Sequence, residues 1–387
     1  MIEINNKADC CGCTACAAIC AHDAIRMQPD VLGFLYPKVD KSKCVDCGLC
    51  EKVCAFHENY DKSFNLLQPD VYGARHKDMN EISSSRSGAS FVAISDYILE
   101  NKGIVYGVGY ADHFRVVHKR AITKEDRNEF KGSKYVQSDL TGIFCQVKKD
   151  LKNGNIVLFS GTPCQTAGLS SFVGKKLRKN LYLIDIVCHG VPSPYIWRDY
   201  LSYLEKKYKS QICYVNFRDK EVFGWKAHKE TFKFINSPKK FVEDIFTRAF
   251  YLHIMLRHSC GSCKYCNLKR PSDITLGDFW RWEKTDLNIN ADDKGISLVL
   301  CNSEKGQKIF NSIKGRMDVI PVRLEDCLQR NLIQPTSIHP KRISFECEYA
   351  KKGFLYVMTK YGVLGWKYRR GVIMKRIKKL VKFLVKN

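Results

Sequence analysis

Short apolar runs alternate with helix-like segments along most of the chain past residue 71. The runs at 103–108 (GIVYGV), 155–159 (NIVLF) and 181–187 (LYLIDIV) are apolar at successive positions, as in strands buried on both faces. Residues 90–102 carry Phe91, Ile94, Ile98 and Leu99 at helical spacing after the turn-like SRSGA at 85–89, which predicts a helix there. Further short runs lie at 274–276 and 296–301, and beyond about 290 the pattern thins. This alternation predicts a buried, largely parallel sheet covered by helices, an α/β domain over 71–345.

The ends of the chain follow other patterns. Residues 372–387 (VIMKRIKKLVKFLVKN) place Ile373, Ile377, Leu380 and Leu384 on one helical face with lysines mostly elsewhere. That is a basic amphipathic helix within an expected C-terminal tail, 346–387. Docking on its own protein is the first reading, and contact with an anionic membrane surface or an acidic partner is the alternative. Residues 1–60 are instead cysteine-dense and repeat themselves: CCGCTACAAIC at 10–20 returns as CVDCGLCEKVC at 44–54. Between the two units, 58–70 has little periodicity and ends in Gln68-Pro69-Asp70, which reads as a linker.

Composition sharpens the chemistry. The 19 cysteines among 387 residues recur at two-residue gaps rather than in the scattered spacing of a disulfide scaffold, which favours metal thiolates in a reducing, cytoplasmic compartment. The start, MIEINNKADCCG, has no basic region leading into an apolar run, and no later stretch reaches roughly 18 uncharged apolar residues, so neither secretion nor membrane spanning is expected. The formal charge is +24. Three filled cubanes would lower it to roughly +18. Residues 349–387 hold 12 Lys/Arg and no acid, so half of the excess is local. No nucleic-acid recognition module accompanies it, and no nucleic-acid partner is expected.

Cys10, Cys13, Cys16 and Cys20 form C-x2-C-x2-C-x3-C, and Cys44, Cys47, Cys50 and Cys54 repeat it. In two-cluster ferredoxins the first three cysteines of a run hold one cubane and the fourth crosses to the other. One [4Fe–4S] cluster is therefore assigned to Cys10, Cys13, Cys16 and Cys54, the second to Cys44, Cys47, Cys50 and Cys20. This resemblance to bacterial-type ferredoxins predicts an α+β ferredoxin-like cluster domain, with Ala21 and Ala55 where such runs usually continue with proline. Cys11 is left over. A third group, Cys260, Cys263 and Cys266 in CGSCKYC, needs a distant fourth ligand to hold a third [4Fe–4S] cluster. Cys188 and Cys164 each follow an apolar strand, where cofactors collect in α/β sheets, and Cys188 is favoured. Cys145, Cys213, Cys301, Cys327 and Cys347 lack partner spacing and are expected to be buried thiols.

Seven segments in order carry a wider resemblance: SRSGAS at 85–90, GSKYVQSDL at 132–140, FSGTPCQTAGL at 159–169, DIVCHGVPSP at 185–194, NFRDK at 216–220, CGSCKYC at 260–266 and DITLGDFW at 273–280. They resemble the coenzyme F420 hydrogenase/dehydrogenase beta-subunit family, here with a two-cluster ferredoxin ahead. The resemblance implies a flavin-binding α/β domain, with FAD beside a [4Fe–4S] cluster, and an oxidoreductase that passes electrons between a hydride carrier, coenzyme F420 or similar, and a redox partner protein. A flavin converts hydride transfer into the single-electron steps a cubane takes. Ser87, Gly88 and Ala89 are candidates to receive a pyrophosphate at a helix start, with Lys134 neutralising it. The family often has two glycines where this chain has Gly88-Ala89. Gly161 and Thr162, and His189 beside Cys188, are flavin or cluster surroundings or plain strand-end turns. Asp278, with Phe279 and Trp280, is a candidate to face the flavin. No catalytic acid or base is assigned. The alternative is an electron-transfer protein that holds clusters but no flavin.

Overall fold

The computed structural model describes the chain except residues 58–64, 67, 287, 367, 369, 372, 375, 376 and 378–387. The N-terminal unit is a hairpin of β1 (Ile25–Pro29) and β2 (Leu35–Val39) flanked by two short helices, α1 (Ala15–Ile19) and α2 (Leu49–Lys52). The sequence repeat is also a conformational one. Gly12 and Thr14 take left-handed φ of 70° and 68°, and Asp46 and Gly48, at the same places in the second copy, take 51° and 71°. These turns curl each cysteine run tightly enough for thiols two residues apart to face one hollow.

The larger unit opens with β3 (Asp70–His76), α3 (Met79–Ser84) and α4 (Ser90–Glu100), then β4 (Ile104–Tyr110), β5 (Val116–Ala121), α5 (Lys124–Asn128) and α6 (Ile143–Lys152). It continues through β6 (Val157–Gly161), α7 (Pro163–Arg178), β7 (Leu181–Ile186), α8 (Pro194–Tyr208), β8 (Ile212–Phe217), α9 (Lys220–Phe223), β9 (Glu230–Phe234), β10 (Ser237–Glu243) and α10 (Ile245–Tyr251). Last come β11 (Ile274–Asp278), β12 (Ser297–Cys301), α11 (Glu304–Ile313), β13 (Met317–Pro321), α12 (Leu324–Cys327) and α13 (Arg342–Lys360). The expected runs at 103–108, 155–159, 181–187, 274–276 and 296–301 are β4, β6, β7, β11 and β12, and the helix expected at 90–102 is α4.

Eight strands form the main sheet in the order β13-β3-β12-β11-β7-β6-β4-β5. Only the central run β11-β7-β6-β4 is parallel, and every pairing outside it is antiparallel. The sheet is therefore mixed, not largely parallel as expected. The reason is connection length: β4 returns to β5 across residues 111–115, too short for a crossover. Apolar side chains cover both faces. Ile94, Ile98, Ile309 and Phe310 pack on one, and Phe144, Val147, Leu169 and Phe172 on the other. Cys11, Ala15, Val53, Ala55 and Phe56 of the N-terminal unit join the second of these cores. At roughly 1.5–3 kcal/mol for each large side chain fully buried, Phe56 and Val53 alone weigh appreciably toward docking the two units.

A separate three-stranded antiparallel sheet, β10-β9-β8, packs with α8, α10 and α13 around Trp197, Tyr200, Phe232 and Phe246. The expected tail boundary at 346 falls inside α13, where Phe345, Tyr349, Phe354, Val357 and Met358 are buried in this core. The packed protein thus continues past 346, because α13 carries an apolar stripe that α8 covers. Of the expected amphipathic helix, Ile373, Met374 and Ile377 are described and are half exposed, and most of it lies outside the described residues. No helix among the described residues is long and apolar enough to cross a membrane.

Candidate iron–sulfur relay

Each cysteine run lines its own hollow. Cys10, Cys13, Cys16 and Cys54 surround one of about 340 Å³, walled by Ile2, Ile4, Met27 and Phe56. Cys20, Cys44, Cys47 and Cys50 surround another of about 380 Å³, walled by Ile25, Val39 and Leu49. In both hollows the fourth cysteine comes from the other run. Among the described residues no His, Cys, Asp or Glu groups converge to hold a single ion. Four cysteines from two interleaved runs are the donor set of a cubane, which takes each thiolate on a separate iron. Burial pushes the Cys10 thiol up against the pull of Arg257, and it pushes Cys16 up strongly. Without metal these sulfurs are held as neutral thiols, and iron would displace their protons.

The hollow on Cys10 is the inner one. Arg257, 1% exposed, donates from Nε to Cys10 O at 2.8 Å and from its terminal nitrogens to Leu35 O at 2.9 Å and Gln137 Oε1 at 3.0 Å. Tyr265 donates its hydroxyl to Ala55 O, and Lys264 donates to Phe56 O. The 257–266 segment thereby grips the N-terminal unit. The other hollow faces outward, with Cys47 exposed between Val45 and Leu49, which are 60% and 42% exposed.

A third cavity, about 490 Å³, opens where β6 and β7 end. Cys188, Cys260, Cys263, Cys266, Cys164 and Cys11 all line it, together with Phe56, Thr162, His189, Tyr265 and Arg270. Adjacent parallel strands deliver Cys164 and Cys188 to it, as expected from their positions. Gly190 N–H donates to Cys188 Sγ and Val191 N–H to Cys260 Sγ, both at 3.4 Å, the kind of bond that steadies a cluster thiolate. Burial raises Cys188 well above the ordinary thiol range and Cys260 to about 12, whereas a hydrogen bond from Cys266 lowers Cys263 to about 7. Arg270, fully buried, pairs with Asp185 at 2.7 Å and donates to Ile186 O at 2.9 Å, fixing the end of β7 behind these thiols. Thr162 caps α7 and its hydroxyl lies 3.2 Å from Cys164 Sγ, beside the thiols of this cavity. Gly161 precedes it as the last residue of β6, closely packed on Phe159 and Gln165. His189 Nε2 lies 3.0 Å from His253 Nε2, and burial lowers it to about 4, so it is neutral near pH 7.

The expected flavin residues fare less uniformly. Gly88 lies against the sheet: a Cβ there would stand 2.2 Å from Ala74 O, and its N–H donates to Ser297 Oγ at 3.0 Å. Ser87 donates to Ile296 O at 2.7 Å, and Ala89 takes a left-handed φ of 60° as it opens α4. Lys134, the expected counter-ion, is engaged by its own loop. Its ammonium donates to Glu129 O at 2.7 Å and Lys131 O at 3.0 Å, and burial lowers it to about 7. Asp278 presents no free carboxylate either: Arg218 donates to Oδ2 at 2.6 Å and Trp225 Nε1 to Oδ1 at 3.0 Å. Burial raises this carboxyl and the two arginines, Arg218 and Arg86, outweigh it, so it ends below the usual range.

Sequence reasoning missed the cations grouped here. Arg86 donates to the carbonyls of Arg218 and Trp225, and Lys220 donates to Ile82 O and Ser87 O. Burial, then Arg86 and Arg75, lowers Lys220 to about 7. Ser85 Oγ, Arg86 Nε and Ser90 Oγ are buried without a partner among the described residues, bracketing Ser87-Gly88-Ala89. Trp225 stacks on Trp280 with centroids 4.8 Å apart. The segment NFRDK contains Arg218 and Lys220, but nothing in its spacing ties it to Arg86. Of the five cysteines expected to be buried, Cys301 and Cys327 are, whereas Cys145, Cys213 and Cys347 are exposed because they sit on solvent faces of α6, β8 and α13.

Two four-cysteine hollows leading to a third thiol-lined cavity in an α/β unit define an iron–sulfur electron-transfer protein. Residues 9–57 match the 4Fe–4S dicluster domain, and residues 154–326 match the family described as the C terminus of the coenzyme F420 hydrogenase/dehydrogenase beta subunit. Residues 154–326 are thus similar to that beta-subunit family, and the dicluster match lies ahead of them in the chain. A chain of the F420-reducing [NiFe] hydrogenase complex from Methanosarcina barkeri, solved as a xenon derivative, is 15% identical with a TM-score of 0.46, over 77% of this chain and 96% of that one. No curated protein matches.

Proposed function

We propose that this protein is a flavin-dependent iron–sulfur oxidoreductase that exchanges a hydride with coenzyme F420 or a similar carrier and passes the electrons to a partner protein. The observation that carries the relay is the contact between cavities: Cys11 and Phe56 line both the third cavity and the inner ferredoxin hollow. Cys188, Cys260, Cys263 and Cys266 would hold the third cluster, and the N-terminal sets would hold two more. Bound FAD would supply the conversion of a two-electron hydride into single electrons.

The residues present fit a dinucleotide. Ser85, Arg86 and Ser90 carry buried polar atoms without partners among the described residues, and Lys220 and Arg86 crowd as like charges that an anionic diphosphate would relieve. Trp225 and Trp280 supply an aromatic wall on the same side, held by Asp278 and Arg218. The basic C-terminal segment is proposed to touch an anionic membrane surface peripherally, with cosedimentation on anionic vesicles as its check.

The relay is tested by anaerobic visible titration with reduced coenzyme F420, followed by dithionite in the same cuvette. Bleaching of flavin and cluster bands by the deazaflavin is the expected result. Bleaching by dithionite alone would replace the hydride carrier with another. Absence of any flavin band would leave an electron carrier without flavin.

A further inference from the structure

The third cavity holds more thiols than a cubane uses. With Cys188, Cys260, Cys263 and Cys266 assigned there and Cys10, Cys13, Cys16 and Cys54 next door, Cys11 and Cys164 remain, and they meet. Cys11 and Cys164 line the same cavity, where the Cys11 thiol interacts with the sulfurs of both Cys13 and Cys164. Its backbone is pinned by Gln137 Nε2 donating to Cys11 O at 2.9 Å. On α7, Gly168 lies one turn beyond Cys164, and a Cβ there would stand 2.6 Å from Cys13 Sγ. One face of α7 thus lets the first cysteine run approach to touching distance and presents a thiol at the point of contact. Cys11 is 4% exposed, whereas Cys164 is partly exposed in the cavity wall beside Cys188 and Cys260.

We propose that Cys11 and Cys164 form a redox-active dithiol that reduces low-molecular-weight disulfides, with Cys164 as the attacking sulfur and Cys11 as the resolving one. The deprotonated Cys164 sulfur attacks RSSR: a Cys164–SR bond forms, the S–S bond of the substrate breaks, and RS⁻ leaves and is protonated. The Cys11 sulfur then attacks Cys164, its proton passes to solvent, the Cys164–SR bond breaks, and a second RSH leaves. A Cys11–Cys164 disulfide remains. Restoring both thiols takes two protons from solvent and two electrons, which [4Fe–4S] clusters held by the cysteines of the two flanking cavities would supply, one electron each. That last step rests on the cluster assignment above, whereas the exchange itself does not.

The test uses the full chain, purified anaerobically with its iron, and bis(2-hydroxyethyl) disulfide as the probe. Mass spectrometry of digested protein is expected to show a Cys11–Cys164 cross-linked peptide, with about two equivalents of 2-mercaptoethanol released and iron content unchanged. Cys11→Ser should stall with the mixed disulfide retained on Cys164, and Cys164→Ser should give neither adduct nor cross-link. An unmodified Cys164 in the wild-type protein would overturn the proposal, as would modification of Cys164 only in step with iron release, which would make it a cluster ligand. Failure of the relay reading would show separately, as missing flavin or cluster bands before the probe is added.

Discussion

Arg257 shows how one side chain can tie a cofactor domain to its neighbour. Its guanidinium is taken up by two carbonyls of the N-terminal unit and by Gln137, and it lies 3.6 Å from Cys10 Sγ. Arg257→Leu leaves those buried acceptors unpaired and is expected to cost about 3 kcal/mol in denaturant unfolding. Removing a cation beside a cluster thiolate is also expected to shift the inner cluster to a lower potential in an EPR-monitored titration. Glu230 makes a different test. It is fully buried on β9, accepts from Thr247 N at 2.6 Å, and burial raises it to about 8. Folded protein therefore keeps this proton between the ordinary carboxyl range and pH 8, where unfolded chain has lost it. Its contribution is complete at low pH and lost as pH rises through about 8. The Tm of the wild type should fall relative to Glu230→Gln between pH 5 and 8, and a difference that does not change with pH would mean the carboxyl is ionised when folded.

At the scale of elements, α7 is both a wall of the α/β sheet and the seat of the ferredoxin unit. Gly168→Ala puts a methyl group into Cys13, whose backbone is held by its run, so the helix and α1 must separate. A loss of about 1–3 kcal/mol is expected, together with loss of iron from the inner site by chemical analysis. Gly315→Ala meets nothing within 4 Å and serves as the control, with stability within about 0.5 kcal/mol of wild type. The parallel strands β6 and β7 matter for the same reason. They end side by side, so Cys164 and Cys188 reach one cavity although 23 residues lie between them in the chain.

For the whole molecule, the hollows lie in the order third cavity, inner ferredoxin site, outer site at exposed Cys47, the path the proposed relay would use in either direction. Cys47→Ser is expected to leave reduction by the hydride carrier intact and to slow delivery to a protein acceptor. Cys188→Ser is expected to isolate both N-terminal clusters from the hydride carrier. Visible bleaching with and without an acceptor distinguishes the two variants.

The cysteine runs were legible because ligation there is local: thiols at two-residue gaps on a curled backbone face one point, whatever surrounds them. The strands 103–108, 155–159 and 181–187 were legible because burial on both faces leaves an unbroken apolar run. The mixed sheet was not, since pairing direction depends on which strands meet. Nor were the clamp of Arg257, the Arg86–Lys220–Arg218 cluster, or the meeting of Cys11 with Cys164. Residue type and spacing alone determined that this protein carries two ferredoxin-type ligand sets and a third three-cysteine group. Only tertiary structure brought Cys11, Cys164 and Cys188 to the cavity of the third group, because contacts between remote segments are set by packing, and no local spacing encodes them.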